Sequence, residues 1–280
     1  MKIIKTIHEM QEQAFAWRRE GLKIGFVPTM GALHEGHLSL IDQARRAGAG
    51  RVVVSIFVNP TQFGPSEDLD KYPRDFVRDE ALCAGRGADV VFYPDASEIY
   101  ASGHSTWVVE DQLSKPLCGA SRPGHFRGVA TVVAKLFNIV LPDVAVFGQK
   151  DAQQVLVIQR MVRDLNFPLT VVVAPIMREA DGLAMSSRNQ YLSPADRAAA
   201  TVIYRSLLEV QDLCRNGERN PRLLHETISD MIAEAGGSID YIEIVSREDL
   251  RNVEEITGRC LVAVAAFFGR TRLIDNIFIG

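Results

Sequence analysis

Two histidines, His34 and His37, stand three positions apart in the segment HEGH, where a strand-like apolar run gives way to a helical one. This spacing places both imidazoles on one face of the first helical turn. The start of a helix offers free N–H groups and partial positive charge, which suit a phosphate, and Gly31 and Gly36 let the backbone approach a ligand closely. The segment therefore predicts donors directed at charge that develops on a phosphoryl oxygen.

Two other interpretations of HEGH remain open at this point. A pair of surface histidines beside a turn would give the same letters. A metal-binding pair is less favoured, because the spacing is not the i, i+4 spacing of the zinc-protease motif and no third ligand stands out.

Two further segments carry groups that suit phosphate. Residues 185–189, MSSRN, offer the hydroxyls of Ser186 and Ser187 and the planar donor fork of Arg188, which together suit a triphosphate. A polar linker is the alternative. Residues 148–151, GQKD, place Lys150 between a predicted strand and a predicted helix, where it suits a phosphate. A solvated loop lysine is the alternative.

The elements that must position these residues alternate between strand and helix. Thr6 followed by Glu9 is a capping box, which predicts a helix from about Ile7 to Glu20. The predicted strands are 22–29, 51–58, 89–94, 144–148 and 169–175, and the predicted helices are 37–47, 78–85, 127–140 and 152–165. This order predicts an α/β, Rossmann-like parallel sheet with helices on both faces, which binds ligands beyond the carboxyl ends of its strands.

The pattern changes near Ser193, which is a good N-cap, with Pro194 at the first helical position. A long helix is predicted from there to about Arg215, and a second from Pro221 to Ala235. Strands are predicted at 239–246, 260–269 and 271–279, so the C-terminal part is a smaller α+β domain. We expect a Rossmann-like domain over 1–176 and a C-terminal α+β domain over 177–280 that opens with the MSSR loop.

Composition excludes several classes of protein. The 280 residues carry a net charge of -4, which argues against a general nucleic-acid binder. No apolar run reaches about 18 residues, so no membrane helix is expected, and the N-terminus does not resemble a secretory signal. The four cysteines form no CxxC pair, so we expect reduced thiols and a cytoplasmic location.

The motifs together resemble a known family. HxGH followed far downstream by a KMSKS-like MSSR is the signature of nucleotidyltransferases related to class I aminoacyl-tRNA synthetases. PTMGALHEGH, SIFVNPTQF, RPGHFRGV, FGQKDAQQ and ADGLAMSSRN are similar to the pantothenate synthetase family, in that family's order. The resemblance implies ATP-dependent condensation of pantoate with β-alanine through a pantoyl adenylate, with release of AMP and pyrophosphate. It also implies Mg²⁺ and a homodimer.

The resemblance also implies roles for individual residues. His37 would be the catalytic histidine, with His34 and Lys150 beside it. Gln62 and Gln154 match positions that hold pantoate, and Asp79 matches a magnesium-contacting position, although the residues around it depart from the expected acidic pattern. The residues implied to contact ATP are Met30, Gly31, Ala32, Leu33, His34, Glu35, Gly36, His37, Gly148, Gln149, Lys150, Asp151, Met177, Met185, Ser186, Ser187 and Arg188.

Without the resemblance, Gln62 would be interpreted as a loop-capping amide and Gln154 as an exposed helix residue. Two alternatives to the synthetase remain. An adenylyltransferase of another cofactor pathway would leave AMP on its product and would not need VNPTQF or GQKDAQQ. A non-catalytic nucleotide-binding protein would bind ATP without releasing pyrophosphate. In the synthetase, the C-terminal domain is expected to act as a lid, because a mixed anhydride must be kept from water.

Overall fold

The computed structural model describes residues 1–65, 67 and 69–280. The chain divides into two compact units. The first contains Met1–Ser114, Arg122–Gln149 and Gln153–Pro175, and the second contains Lys115–Ser121, Lys150–Ala152 and Ile176–Gly280.

The first unit is built on a parallel sheet of six strands. They are β1 (Lys2–Ile4), β2 (Ile24–Thr29), β3 (Arg51–Ile56), β4 (Val90–Phe92), β5 (Val144–Gly148) and β6 (Thr170–Ala174). The strand order is β1-β4-β3-β2-β5-β6. The chain order reverses where β2 lies between β3 and β5, and open α/β sheets bind ligands beyond the strand ends at such a switch point. Therefore the loop after β2, which carries HEGH, leaves the sheet at this position.

Helices cover both faces of this sheet, as predicted. They are α1 (Ile7–Arg19), α2 (Glu35–Arg46), α3 (Phe76–Gly85), α4 (Ala96–Ile99), α6 (His125–Val140) and α7 (Ala152–Asp164). Neighbouring strand residues point to opposite faces. On β2, Phe26 meets Phe137 of α6 edge to face at 6.4 Å, whereas Val27 shares a core with Ile41 of α2.

The second unit is the smaller α+β part. Its helices are α5 (Cys118–Ser121), α8 (Pro194–Ala199), α9 (Val202–Arg215) and α10 (Pro221–Glu234), and its strands are β7 (Ser238–Ser246), β8 (Cys260–Phe268) and β9 (Thr271–Ile279). The three strands form an antiparallel sheet in the order β7-β8-β9. Apolar residues of α9 and α10, including Leu207 and Ile228, pack with Val262 and Val264 of β8 to form its core.

The predicted elements are confirmed, with one exception. Helix α1 begins after Thr6, whose side chain accepts the N–H of Glu9 as the capping box requires. The single helix predicted from Ser193 to Arg215 is wrong, because it is interrupted between α8 and α9. There the Thr201 hydroxyl donates to the Ala198 carbonyl, and Ile203 N–H bonds to Ala200, three residues back. Strand β1 and the four-residue helices α4 and α5 were not predicted.

Candidate active site

The loop after β2 is held by short polar contacts at its start. The Thr29 hydroxyl donates to the Ser55 carbonyl of β3 at 2.8 Å, and it accepts the Gly31 N–H at 3.2 Å. Gly31 has φ +85°, and a Cβ atom there would lie 3.0 Å from a carboxylate oxygen of Asp79. Both the left-handed backbone and the close approach of Asp79 therefore favour glycine at this position.

Asp79, on the first turn of α3, fixes the middle of the same loop. Its carboxylate accepts the Ala32 N–H at 2.7 Å and the Leu33 N–H at 2.8 Å, and the side chain is 1 % exposed. Burial raises the pKa of the Asp79 carboxyl, and the two backbone bonds and the charge of Arg78 oppose that rise. Each carboxylate oxygen thus accepts a hydrogen bond from the loop, so the geometry gives Asp79 a positioning role. Its contact with Mg²⁺ stays a prediction.

The two histidines follow directly at the start of α2. His34 is the N-cap, and its Nδ1 accepts the Gly36 N–H at 3.1 Å. An accepting Nδ1 places the proton of neutral His34 on Nε2. The ring of His37 lies 4.1 Å from that of His34 and is tilted by 37°, which agrees with the predicted common face. Both rings are half-buried at the positive end of α2.

Glu35, the first residue of α2, lies on the solvent side of this turn. Its carboxylate forms an ion pair with the guanidinium of Arg86, which follows α3. An acidic residue in the first turn suits the helix dipole, and the pair ties α2 to the end of the helix that carries Asp79. Only the backbone of Glu35 therefore has a place in a phosphate-binding turn.

Gln62 is positioned by a single 3-10 turn, Pro60–Gln62, after β3. The residue is 9 % exposed, so it is buried in the loop rather than at its surface. Its Oε1 accepts the Asn59 amide at 3.1 Å, and its Nε2 lies 3.2 Å from the sulfur of Met30. The structure therefore joins the residue expected to hold pantoate to the first residue of the motif expected to hold ATP.

The turn that carries Gln62 rests on α6. The Asn59 amide also donates to the Gly128 carbonyl at 3.2 Å, and Asn59 Oδ1 accepts the Tyr100 hydroxyl at 2.9 Å. A Cβ atom on Gly128 would lie 2.5 Å from the Thr61 carbonyl oxygen and 2.7 Å from the Gln62 nitrogen. Because backbone atoms cannot yield at that distance, glycine is required on this face of α6.

His125, the first residue of α6, holds the backbone of Gln62. Its Nδ1 lies 2.9 Å from the Gln62 carbonyl oxygen, and its Nε2 lies 3.2 Å from a guanidinium nitrogen of Arg122. Arg122 in turn forms two bonds with Glu67, at 2.8 and 2.5 Å. A chain of charged and polar groups thus ties the expected pantoate loop to the start of α6.

Gly148 ends β5 and Gln149 follows it, so both lie beside the switch point, next to the strand that leads to HEGH.

Gln154 lies in the first turn of α7 and is partly buried. The neighbouring Gln153 is buried instead, with its amide on the Leu113 carbonyl at 2.8 Å. Gln154 is therefore not a fully exposed helix residue, and its contact with pantoate stays a prediction.

Lys150 and Asp151 complete a 3-10 turn ahead of α7 and belong to the second unit. The ammonium of Lys150 lies 3.9 Å from the Asp151 carboxylate, and its side chain is 22 % exposed against 49 % for Asp151. The lysine is thus more enclosed than a solvated loop lysine. Its carbonyl accepts the side-chain amide of Asn276, a residue of β9, at 2.9 Å.

The MSSR segment leaves a short hairpin in the second unit. Met185 N–H bonds to the Met177 carbonyl at 2.9 Å, and Met177 is 38 % exposed. Ser187–Tyr191 form a 3-10 turn capped by Ser186, whose hydroxyl oxygen accepts the Arg188 N–H at 3.3 Å. Because that hydroxyl keeps its own proton, Ser186 still has a donor for a phosphate. Ser186, Ser187 and Arg188 are all partly buried.

Several residues of these networks were not assigned a role from the sequence, although their motifs were recognised. Asn59 lies in VNPTQF, His125 in RPGHFRGV, and Asn276, next to Asp275, in the strand predicted at 271–279. For the strand residues, the sequence held one usable signal. A pair of polar side chains interrupts an apolar run, which indicates buried groups with specific hydrogen-bond partners.

Among the described residues, no group of three or more histidine, cysteine, aspartate or glutamate side chains is arranged to hold a metal ion. In the same part of the chain, no helix has the length and apolar character needed to cross a membrane. All four cysteines are free thiols, and all are buried.

The HEGH helix start lies beyond the switch point of a parallel sheet, and a serine–serine–arginine turn follows later in the chain. These two features agree with the class of HxGH nucleotide-dependent enzymes that the sequence indicates. The family model for pantoate-beta-alanine ligase matches residues 2–278. The chain therefore belongs to the pantoate–β-alanine ligase family.

Individual relatives agree with this membership. A pantothenate synthetase of Heliobacterium modesticaldum is 55 % identical over 280 residues, covering 100 % of this chain and 99 % of that protein. The crystal structure of a pantothenate synthetase from Thermus thermophilus superposes with a TM-score of 0.91 at 45 % identity, covering 99 % of both chains. A pantoate-beta-alanine ligase from Francisella tularensis, complexed with beta-gamma ATP and beta-alanine, gives 0.83 at 36 % identity, covering 99 % of this chain and 97 % of that one.

Proposed function

We propose that this enzyme joins pantoate to β-alanine with ATP, through a pantoyl adenylate, and releases AMP and pyrophosphate. Family membership over nearly the whole chain supports the reaction. The contact between Gln62 Nε2 and the Met30 sulfur at 3.2 Å supports the site, because it makes the proposed pantoate and ATP subsites neighbours. The complex of the Francisella tularensis relative with an ATP compound and β-alanine agrees with these substrates.

In the first half-reaction, a carboxylate oxygen of pantoate attacks the α-phosphorus of ATP. A new bond forms between that oxygen and phosphorus, and the bond from the α-phosphorus to the bridging oxygen breaks, so pyrophosphate leaves with the electron pair. Hydroxide is a poor leaving group, and this exchange replaces it with AMP. The enzyme contributes mainly by holding the two reacting groups in line and stabilising the charge.

We assign the charge-stabilising roles to groups of the HEGH turn, the GQKD turn and the MSSR segment. His37 and His34 would donate to phosphoryl oxygens at the start of α2, where the helix dipole adds positive potential. The ammonium of Lys150 and the guanidinium of Arg188, with the hydroxyls of Ser186 and Ser187, would hold the departing pyrophosphate. The backbone of residues 30–37, 148–151 and 177 would line the rest of the nucleotide.

In the second half-reaction, the neutral amine of β-alanine attacks the acyl carbon of the adenylate. A carbon–nitrogen bond forms, the bond from the acyl carbon to the phosphate oxygen breaks, and AMP leaves. The nitrogen releases a proton to solvent, which gives the amide of pantothenate. Gln62 and Gln154 would hold the hydroxyl groups and the carboxyl end of the pantoyl group, because an amide both donates and accepts.

Mg²⁺ stays a proposal. Asp79 is the residue that the sequence puts forward for it, but its carboxylate accepts two backbone N–H groups in the HEGH loop. We expect ATP phosphates and water to supply most of the ligands, as Mg²⁺ bound with nucleotides usually keeps several waters. The ion would neutralise phosphate charge when bound.

One assay tests the proposed reaction. AMP and pyrophosphate release from ATP are measured with pantoate alone, with β-alanine alone and with both. We expect AMP release into solution only with both substrates, and pantoate-dependent exchange of labelled pyrophosphate into ATP without β-alanine. An adenylyltransferase would retain AMP on its product, and a nucleotide sensor would bind ATP without pyrophosphate release, so either result would reject the proposal.

We further propose that residues 177–280 form a lid domain and that residues 1–176 form an ATP- and pantoate-binding domain. The reason is chemical, since a mixed anhydride that meets water is hydrolysed. Small-angle scattering with and without ATP measures the change in radius of gyration. An unchanged radius would contradict closure of the lid.

The proposed enzyme acts as a homodimer in the cytoplasm, without nucleic-acid or membrane partners. The resemblance to the family supports the dimer, and the reduced, buried cysteines agree with a reducing compartment. Light scattering after size-exclusion chromatography measures the mass, and the mass of a single chain would reject the dimer.

A further inference from the structure

Strand β9 carries two adjacent polar side chains, Asp275 and Asn276, in an otherwise largely apolar sequence. Each is 3 % exposed, in the second unit of the chain. Successive side chains of a strand point to opposite faces, so one strand offers one polar anchor on each side. Burying a polar group is costly unless it is hydrogen-bonded, and both side chains have specific partners.

The anchor at Asp275 binds Arg178. The two terminal nitrogens of the guanidinium reach the two carboxylate oxygens at 2.5 and 3.0 Å, which is a bidentate pair. The guanidinium also lies 3.6 Å from the centroid of the Tyr204 ring, on α9, and donates to the Gly182 carbonyl at 3.1 Å. Because both partners are largely buried, this pair has one geometry and little freedom to move.

Arg178 lies in the hairpin that leads into the phosphate loop, here defined as Met185–Arg188. Arg178 is bridged to Ala184, and the next pair outwards is the bond from Met185 N–H to the Met177 carbonyl. Ala184, the residue bridged to Arg178, is therefore followed directly by Met185, the first residue of the phosphate loop. A shift of Arg178 would be passed directly to Ser186 and its neighbours.

The anchor at Asn276 binds the other phosphate-facing segment. Its side-chain amide donates to the carbonyl oxygen of Lys150 at 2.9 Å, across 126 positions of sequence. This bond fixes the backbone of the 3-10 turn from which the Lys150 side chain extends. Two neighbouring residues of one strand thus hold the proposed phosphate lysine and the proposed phosphate loop.

We propose that Asp275 and Asn276 are positioning residues for adenylate formation, which hold Lys150 and the phosphate loop in a fixed relation to each other. The inference rests on the proposed function, which assigns those two segments to the phosphates. Adenylate formation separates highly charged groups and depends on cations held in place, and a misplacement of about 1 Å can cost roughly 10²-fold in rate. Attack of a neutral amine on the finished adenylate depends on them less.

A purely structural role would lower stability and affect both half-reactions alike, so the test compares the two. The variants are Asn276→Ala and Arg178→Lys; the second keeps the positive charge beside Asp275 but lacks the bidentate fork. Thr271→Val is the control, because it changes a buried polar side chain of the same strand that lies outside both anchors. Pantoate-dependent pyrophosphate exchange reports adenylate formation, and synthetic pantoyl adenylate with β-alanine reports the second step.

We expect both variants to lose about 10- to 100-fold in the exchange reaction and much less in the second step, with the control near wild type. An equal loss in both steps, or exchange within about twofold of wild type, would overturn the positioning role. If Asn276→Ala does not fold, Arg178→Lys decides by the same comparison. Wild-type enzyme that shows no pantoate-dependent exchange would instead reject the proposed function.

Discussion

The carboxylate of Asp79 accepts the backbone N–H of Leu33 at 2.8 Å, which joins the first turn of α3 to the last residue before the two histidines. The other oxygen accepts the N–H of Ala32, a residue with φ +50°. A left-handed backbone costs free energy in any residue other than glycine, and the buried carboxylate compensates for that cost through two hydrogen bonds. The HEGH turn is therefore held in place before any ligand arrives.

Replacing Asp79 by asparagine should weaken this loop. One amide oxygen can accept one N–H, but the amide nitrogen would face the other N–H, so one buried donor loses its partner. We expect a loss of about 1–3 kcal/mol in the free energy of unfolding and slower adenylate formation. Denaturant unfolding and pyrophosphate exchange measure the two effects.

Asp75→Asn is the matched control for Asp79→Asn. Asp75 is exposed and caps the same helix by accepting the Arg78 N–H, and asparagine serves equally well at an N-cap. If the Asp79→Asn variant exchanged pyrophosphate at the wild-type rate, the HEGH loop would hold its conformation without the carboxylate.

His37→Ala should reduce turnover far more than stability. The proposed role of the ring is to donate to charge that forms only in the transition state, and removing one such donor typically costs about 10²–10³ in rate. His8→Ala is the control, since the side chain of His8 is 84 % exposed. Steady-state kinetics and thermal unfolding are measured on the same preparations. Normal turnover by a folded variant would remove His37 from the mechanism.

Gln62→Ala should weaken pantoate binding and leave ATP binding nearly unchanged. The proposed pantoate loop follows β3 and is supported by α6, whereas the HEGH loop follows β2 and is supported by α3. Calorimetric titration with each ligand separates the two effects. Gln62 also contacts Met30 through its amide nitrogen. Equal losses of affinity for pantoate and ATP would therefore contradict separate subsites and would mean that this contact positions the proposed ATP-binding loop.

The order of elements, and the turns on which the HEGH and MSSR motifs lie, could be predicted from the sequence because they depend on local signals. Thr6 and Ser193 act as caps, apolar periodicity marks the helices and β-branched runs mark the strands. The interruption between α8 and α9 left no such signal, since Ala200 and Thr201 keep helical backbone angles. The three residues of β1 are too few to show alternation.

The supporting residues of the site could not be predicted in the same way. Asp79 acts on a backbone 46 residues away, and Asn276 acts on Lys150 across 126 residues. Such partners depend on the tertiary fold, and no local pattern encodes them. The family resemblance put forward Asp79 for a metal, whereas its hydrogen bonds to the loop emerge only from the folded chain.

Glu67→Gln should lower stability in a pH-dependent way. Burial alone raises the pKa of the Glu67 carboxyl, but the hydrogen bond and charge of Arg122 outweigh it and hold that pKa below the ordinary value. A lowered folded pKa means that the carboxylate stabilises the protein above the pKa of the unfolded chain, and that this contribution is lost as the pH falls through the folded value.

Wild type should therefore exceed Glu67→Gln in free energy of unfolding at about pH 7, and the gap should narrow towards about pH 4. Urea unfolding across this range measures the difference, with Glu12→Gln, an exposed carboxylate, as the control. Pantoate binding should weaken in the variant at neutral pH, because Arg122 also supports His125 behind Gln62. A gap that does not change with pH would contradict the ion pair as its source.

Lys150→Met should damage adenylate formation and spare the second half-reaction. Methionine keeps an unbranched stem of similar length and removes the ammonium, so the packing of the turn should change little. The hydrogen bond from the Asn276 side-chain amide ends on the backbone carbonyl of Lys150 and does not depend on the Lys150 side chain, so the turn keeps its position. Pyrophosphate leaves only in the first step, and that step therefore loses the cation proposed to stabilise it.

The comparison uses the same variant with two sets of substrates. With synthetic pantoyl adenylate and β-alanine, we expect pantothenate to form at a rate much closer to wild type than with ATP, pantoate and β-alanine. Lys23→Met, at an exposed position before β2, should behave as wild type in both. Equal losses of rate in the two assays would mean that Lys150 supports the whole site. If its ammonium served only the departing pyrophosphate, its removal could not slow the second step, because pyrophosphate has left before that step begins.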